Sequence, residues 1–290
     1  MKNLRAVSIL TVLIALFSLS AAIAGIFSGG GPGRYVFTTV HGEAVTIYGS
    51  GIYRYDSVSM AAQAIAQDIV TLILGIPLLA VALFLSRKGF LKGRILLAGT
   101  LAYFLYTYTS YSFTSMYNIL FLLDVCLMSM SFFAFVLTMM SFDMNVLSRS
   151  FDEKLPVKSI AAILIFLGSV IGLMWLKNIV TPLFTASVPL GLEQYTTMVI
   201  QAMDLGFVVP VSLISGILLL KKKPFGILLA SVICVKAVTL LTAVTAMIIG
   251  QIISGLKVSV IEIILFPAFN LIMIATMFVF LRNIKETEKI

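Results

Sequence analysis

Charge is scarce in this chain. Only 11% of its 290 residues are Asp, Glu, Lys or Arg, where a soluble domain carries about a quarter. There are also just one histidine, two cysteines and one tryptophan. Each shortage excludes something. A lone His41, with Cys126 and Cys234 in no CxxC arrangement, offers neither the ligand set of a zinc site nor a redox pair. No Walker loop, dinucleotide glycine fingerprint, HExxH or GxSxG occurs, so no familiar catalytic motif and no cofactor is implied. What is abundant is apolar: 60% of residues are hydrophobic and the mean hydropathy is +1.12. A membrane is the solvent. The net charge of +8 therefore speaks to orientation in a bilayer, and nucleic acid is not an expected partner.

Runs of roughly 20 apolar residues span about 30 Å of hydrocarbon. On that rule the sequence predicts eight helices, approximately 6–28, 60–86, 95–113, 117–141, 159–176, 194–220, 225–250 and 259–283. The expected fold is an all-α integral membrane bundle. With the N-terminus cytoplasmic, fifteen Lys and Arg fall inside, against four outside at Arg34, Arg54, Lys177 and Lys257. This bias predicts the cytoplasmic membrane with both termini cytoplasmic. The opening "MKNLRAVSILTVLIALFSLSAAIAG" also has the form of a cleavable signal peptide. Against cleavage, "SILTVLIALFS" from Ser8 lines up without gaps on "SIAAILIFLGS" from Ser159.

That likeness extends along the chain. Offsetting residues 68–109 by 133 brings Pro77 onto Pro210, Lys88 onto Lys221, Gly93 onto Gly226 and Thr109 onto Thr242. The expectation is two four-helix repeats of the same orientation, 1–141 and 159–290, joined by a charged cytoplasmic linker at 142–158. The outer loop 29–59 contains "RYVFTTV", "HGE" and "AVTIYGSG", two β-rich runs about a turn, hence a small extracytoplasmic hairpin. His41 falls in its turn, and "IYRYDS" beyond it reads as an interfacial aromatic collar. Both cysteines read as core packing.

Ionisable residues inside the spans are costly and therefore candidates for function. They are Asp68, Asp124, Asp204, Lys236 and, near the outer boundary, Glu262. Counted from the cytoplasmic helix ends at 1.5 Å per residue, the three aspartates share a layer at roughly 24–27 Å, within reach of the Lys236 stem. Lys236 is expected to be the counterion of Asp204, a pairing that also fits a purely structural role. Gln63, Gln67, Asn118, Gln201 and Asn270 surround the layer. Tyr103 and Tyr106, three residues apart on one helical face, are candidates to hold a ligand or orient a carboxylate, whereas Tyr111 reads as belt. Pro77 and Pro210 predict kinks.

The stretches "AQDIVTLILGIPLL", "RKGFLKGRILLAGTLAYFLYTYTSY", "YNILFLL" and "DLGFVVPVSLISGILLLKKKPFGILLASVICVKAVTL" resemble a widespread family of uncharacterised prokaryotic membrane proteins of about eight spans. The resemblance implies a multi-pass fold and carries no activity. Three functions follow from the residues. The first is a transporter-like or small-ligand-binding protein, whose partners are the lipid bilayer and a small molecule or ion. The second is an accessory or sensory subunit with a membrane protein partner. The third is a lipid-acting enzyme using Asp68, Asp124 and the tyrosines as acid and base.

Overall fold

A computed structural model describes residues 3–185 and 187–286; Lys2 and Lys289, included in the charge count above, lie outside them. The chain forms α1 (Leu4–Phe27), strands β1 (Tyr35–Thr38) and β2 (Ala44–Ile47), α2 (Val58–Arg87), α3 (Leu91–Thr114), α4 (Phe121–Met139), a short α5 (Met144–Arg149), α6 (Val157–Thr185), α7 (Val199–Leu220), α8 (Pro224–Ile253) and α9 (Val260–Arg282). Seven of these helices are long and apolar enough to cross a membrane. The exception among the long helices is α3, whose 24 residues include Lys92, Arg94 and the run of tyrosines, threonines and serines. Its polarity has a physical reason: half of it is buried, from Gly93 to Ser110, between the neighbouring helices rather than against lipid. The bundle is a multi-pass membrane fold.

The helices form where apolar stripes recur at helical spacing. In α1 the buried positions are Val7, Thr11, Ile14, Ser18, Ala21, Ala22 and Gly25, one face of the helix. Its other face presents Ile9, Val12, Leu16 and Phe17 outward, as contact with lipid chains requires. Helix starts are capped where a hydroxyl or carboxylate is at hand: Ser57 accepts from Met60 N–H, Asp143 from Asn145 and Val146, and Ser259 from Ile261. The hairpin pairs Tyr35 with Ile47 and Thr38 with Ala44, antiparallel, with His41 in its turn.

Helix α8 is the centre. Two thirds of its most apolar window is buried, against 22–39% for the other membrane-capable helices, and it packs on α2, α3, α7 and α9. Small residues set these contacts. A Cβ on Gly99 of α3 would lie 2.4 Å from Val235 Cβ and 2.9 Å from Val232 O, so the two backbones meet there. Gly250 of α8 abuts Ala62 O of α2 in the same manner.

Several local features recur 133 positions apart. Helices α2 and α7 each contain one π-helical turn, Thr71–Gly75 and Asp204–Val208, directly before Pro77 and Pro210. Proline has no N–H to donate and crowds the preceding turn, which widens the helix locally. The predicted kink sites are thus π turns. Gly89 and Lys222 both take positive φ, +90° and +51°, in the turns that follow. Gly93 and Gly226 then press against Leu85 and Leu218.

Two expectations need correction. The fifth span runs nine residues beyond its predicted end at 176, through Pro182 to Thr185, because Lys177 and Asn178 dilute the hydropathy without breaking the helix. Cys126 is exposed on the outside of α4 and only Cys234 is buried.

The two ends of the bundle differ. At one, Leu91 and Lys92 N–H donate to Glu286, Asp152 N–H to Asn283 O, and Lys285 pairs with Asp152 at 3.3 Å. At the other stand the hairpin and the polar loops described below. Replacing Gly99 by valine should overpack α3 against α8 and cost about 1–3 kcal/mol in thermal unfolding of detergent-solubilised protein. Gly206→Ala, whose Cβ meets nothing within 4 Å, should leave stability unchanged or raise it by up to about 1 kcal/mol.

Candidate functional site

The intramembrane polar residues fall into two groups, one in each half of the chain. In the first, Asp68 on α2 is 2% exposed and accepts hydrogen bonds from Tyr53 Oη at 2.6 Å and Tyr111 Oη at 3.1 Å. Gly25 of α1 makes room for it: a Cβ there would fall 1.9 Å from Asp68 Oδ2. One residue earlier, Gln67 donates to Tyr103 Oη at 2.7 Å and Thr107 Oγ1 at 3.0 Å, and Thr71 Oγ1 lies 2.9 Å from the same tyrosine. The α2-facing stripe of α3 is therefore Tyr103, Thr107 and Tyr111, at i, i+4 and i+8.

Asp124, in the first turn of α4, faces Asp68 across a cavity of about 10 Å³ that Tyr53, Tyr111, Ser115 and Asn118 help to line. This is room for about one water molecule or small ion. Asp124 is 4% exposed, and its Oδ1 is buried without a hydrogen-bond partner among the described residues.

In the second group, Asp204 begins the π turn of α7 and accepts from Tyr106 Oη at 2.9 Å and Trp175 Nε1 at 2.8 Å. Lys236 does not form the expected ion pair with it. Its ammonium sits 4.2 Å from the centroid of the Tyr106 ring and has no hydrogen-bond partner among the described residues. Tyr106 is interposed, its hydroxyl on the carboxylate and its π face under the cation. The physical reason is reach: a tyrosine on α3 fills the space between α7 and α8 that the lysine stem would need to cross.

The remaining predicted residues are scattered. Asn118 caps a turn, donating to Met116 O and accepting from Leu120 N–H, and only touches the cavity rim. Asn270 on α9 donates to Thr242 Oγ1 of α8 at 3.1 Å. Gln63 bonds Ser59 within its own helix. Gln201 is half-buried on α7 and bonded to neither carboxylate. Glu262 is exposed in the first turn of α9. Tyr53 and Tyr111, read as collar and belt, are instead the two donors to Asp68. Trp175 carried no signal beyond being the only tryptophan.

A third cluster, outside the spans, was not foreseen. Asp56, 1% exposed, accepts from Met116 N–H at 3.0 Å and from Tyr195 Oη at 2.9 Å. Ser57 Oγ donates to Glu193, and Ser57 N–H points at Tyr195 Oη at 3.3 Å. The loop before α7 is thereby latched to the start of α2. Burial pushes the Asp56 carboxyl up to about 6, against the two donors, which favour its charged form; Glu193 is raised as well, chiefly by burial. The signal for this cluster was weak, since Asp56 and Glu193 lie 137 positions apart in loops.

No family model, curated protein or solved structure matches the chain, so no relative assigns a role to any of these residues.

Removing the Tyr106 hydroxyl with Tyr106→Phe should leave Asp204 Oδ1 short of a donor and cost about 1–3 kcal/mol. Lys236→Met, which deletes a buried and unbonded ammonium, should hold or raise the melting temperature. The pair of melts in detergent separates these outcomes from a true Asp204 and Lys236 ion pair, in which both changes would destabilise.

Asp56 makes a second prediction. The folded protein holds its proton more tightly than an unfolded aspartate, which titrates near about 3.9. Its contribution is thus greatest below pH about 4 and is lost as pH rises toward about 6. The stability difference between wild type and Asp56→Asn should fall across that interval and stay flat above it, as read by melting temperature against pH.

Proposed function

We propose that this chain is a transporter-like, small-ligand-binding membrane protein, and that its ligand is a proton or small cation held between Asp68 and Asp124. The observation that carries this reading is the buried, unpartnered Asp124 Oδ1 on a cavity shared with a second carboxylate. Two negative groups on one low-dielectric cavity repel, and a proton or cation relieves the repulsion. Asp68 has two tyrosine donors; Asp124 is left to the ligand. The rim residues Ile52, Ser115 and Asn118 lie at the hairpin end of the bundle, so entry is from that side. By the distribution of basic residues that side is extracytoplasmic, and both termini are cytoplasmic.

The reading includes two four-helix repeats, 1–141 and 159–290. The recurrence of π turns, prolines and tight turns at a spacing of 133 supports it. So does the contact of Gly99 with Val232, positions that this spacing makes equivalent. A helix and its copy touch at equivalent positions where they cross a twofold axis. Two units hinged at π turns around such an axis suit rocking of one against the other. A second reading, an accessory or sensory subunit, is favoured by the hairpin, where Val36 and Val40 are 68% and 95% exposed.

The test is flux into proteoliposomes under an imposed gradient of protons, Na⁺ or K⁺. Wild type should conduct one of them, and Asp124→Asn should abolish the flux while keeping the stability or raising it by up to about 1–3 kcal/mol, since no hydrogen bond is lost. Absence of flux for all three ions sinks the proposal, and a stoichiometric partner on purification would then favour the second reading.

A further inference from the structure

A groove between α1 and α2 opens toward lipid near the basic end of the bundle. It holds about 490 Å³, within the range of about 300–1,000 Å³ typical of small-molecule sites. Its walls are apolar, chiefly Ala15, Leu79 and Leu83, and its mouth carries Arg87 and Lys88, both exposed. Thr11 lines it too, 1% exposed, and its hydroxyl has no hydrogen-bond partner among the described residues.

In the corresponding helix pair, α6 and α7, glycines draw the two helices together. A Cβ on Gly168 would lie 3.0 Å from Ser212 Cβ, one on Gly172 3.2 Å from Val209, and one on Gly216 3.0 Å from Ala161 O. At the positions 133 earlier than Ser212 and Gly216 stand Leu79 and Leu83. These larger side chains are packed into the core, 0% and 8% exposed, and form the floor of the groove.

We infer that this groove binds one anionic phospholipid, with an acyl chain along the exposed Leu16, Ala80 and Phe84 and its phosphate at Arg87 and Lys88. Two features fit that occupant together. The trough is apolar where hydrocarbon chains lie, and two cations stand where headgroups lie. Juxtamembrane Lys and Arg attract anionic lipid in this manner. Lys88 is held in place by the Phe84 ring, 4.4 Å from its ammonium.

The test uses the full chain in detergent, incubated with dioleoyl phosphatidylglycerol or dioleoyl phosphatidylcholine and examined by native mass spectrometry. Wild type should retain one phosphatidylglycerol in preference to phosphatidylcholine. Arg87→Gln with Lys88→Gln should lower that retention about tenfold. Lys221→Gln with Lys222→Gln, in the turn after α7, should leave it unchanged, and soluble glycerol phosphate should not compete. Ala80→Phe, which fills the groove without touching charge, should reduce retention of the lipid; the exposed charge variants test the site even if this one folds poorly. Equal retention of the two lipids, or equal loss in both double variants, would overturn the inference, the latter by reducing it to a general affinity of the basic face.

Discussion

A carboxylate placed in a low-dielectric bundle must receive its hydrogen bonds from the protein, because neither lipid nor bulk water is there to supply them. In this chain the donors are aromatic. Tyr53 and Tyr111 serve Asp68, and Tyr106 and Trp175 serve Asp204. Tyrosine suits the task because its ring packs against apolar neighbours while its hydroxyl reaches one polar atom. That single requirement explains why α3 is the most polar of the long helices and yet among the best buried: its face toward α2 and its face toward α7 each deliver a tyrosine to a carboxylate. It also explains why Gly25 and Gly99 matter. At Gly25 the missing side chain leaves room for the Asp68 carboxylate and the Tyr53 hydroxyl, and at Gly99 it lets α3 lie against the backbone of α8.

The same requirement separates the two groups. Asp204 is fully engaged by its donors, and Lys236 rests on the ring of the tyrosine that serves it. The ammonium and carboxylate are thereby linked through one side chain, an arrangement that constrains α3, α7 and α8 together. Asp68 is engaged too, but Asp124 is not. Among the described residues, Asp124 is the buried carboxylate within the spans that no protein donor serves, and it lies with Asp68 beside a cavity. The unmet acceptor at Asp124, beside a cavity that it shares with a second carboxylate, is the feature on which the proposed ligand site rests.

Much of this was legible in the sequence, for identifiable reasons. Eight long helices follow from the apolar runs, and the hairpin from β-branched and aromatic residues about "HGE". The intramembrane aspartates and Lys236 stand out because charge is rare in such a chain. What the sequence does not reveal is which way each ring points. Tyr103 and Tyr106 share a face by spacing, yet one turns to Gln67 and Thr71 and the other to Asp204. Their directions are set by helices that pack on opposite sides of α3, and no local periodicity encodes that. Tyr53 was hidden for another reason: a tyrosine outside a span looks like a belt residue until the loop folds back over the bundle. The Asp56, Ser57, Glu193 and Tyr195 cluster joins two loops far apart in sequence, so only the packed chain brings it into being.

That latch bears on how the bundle can move. The cavity beside Asp68 and Asp124 is lined also by Ile52, Ser115 and Asn118. Asp56 binds Met116 N–H, two residues from Asn118, and at the same time holds Tyr195 from the loop before α7. The segment at the cavity rim is thus tied to the other half of the chain through one buried carboxyl. Any displacement of α7 about its π turn must either carry the rim with it or break these bonds. Burial disfavours the ionised form of Asp56, whereas the two donors that make the tie favour it, so ionisation costs the folded state stability while strengthening the bonds themselves. Met116 and Tyr195, from two loops far apart in sequence, are therefore joined through one carboxyl that burial pushes up to about 6, and the contact between those loops depends on its protonation.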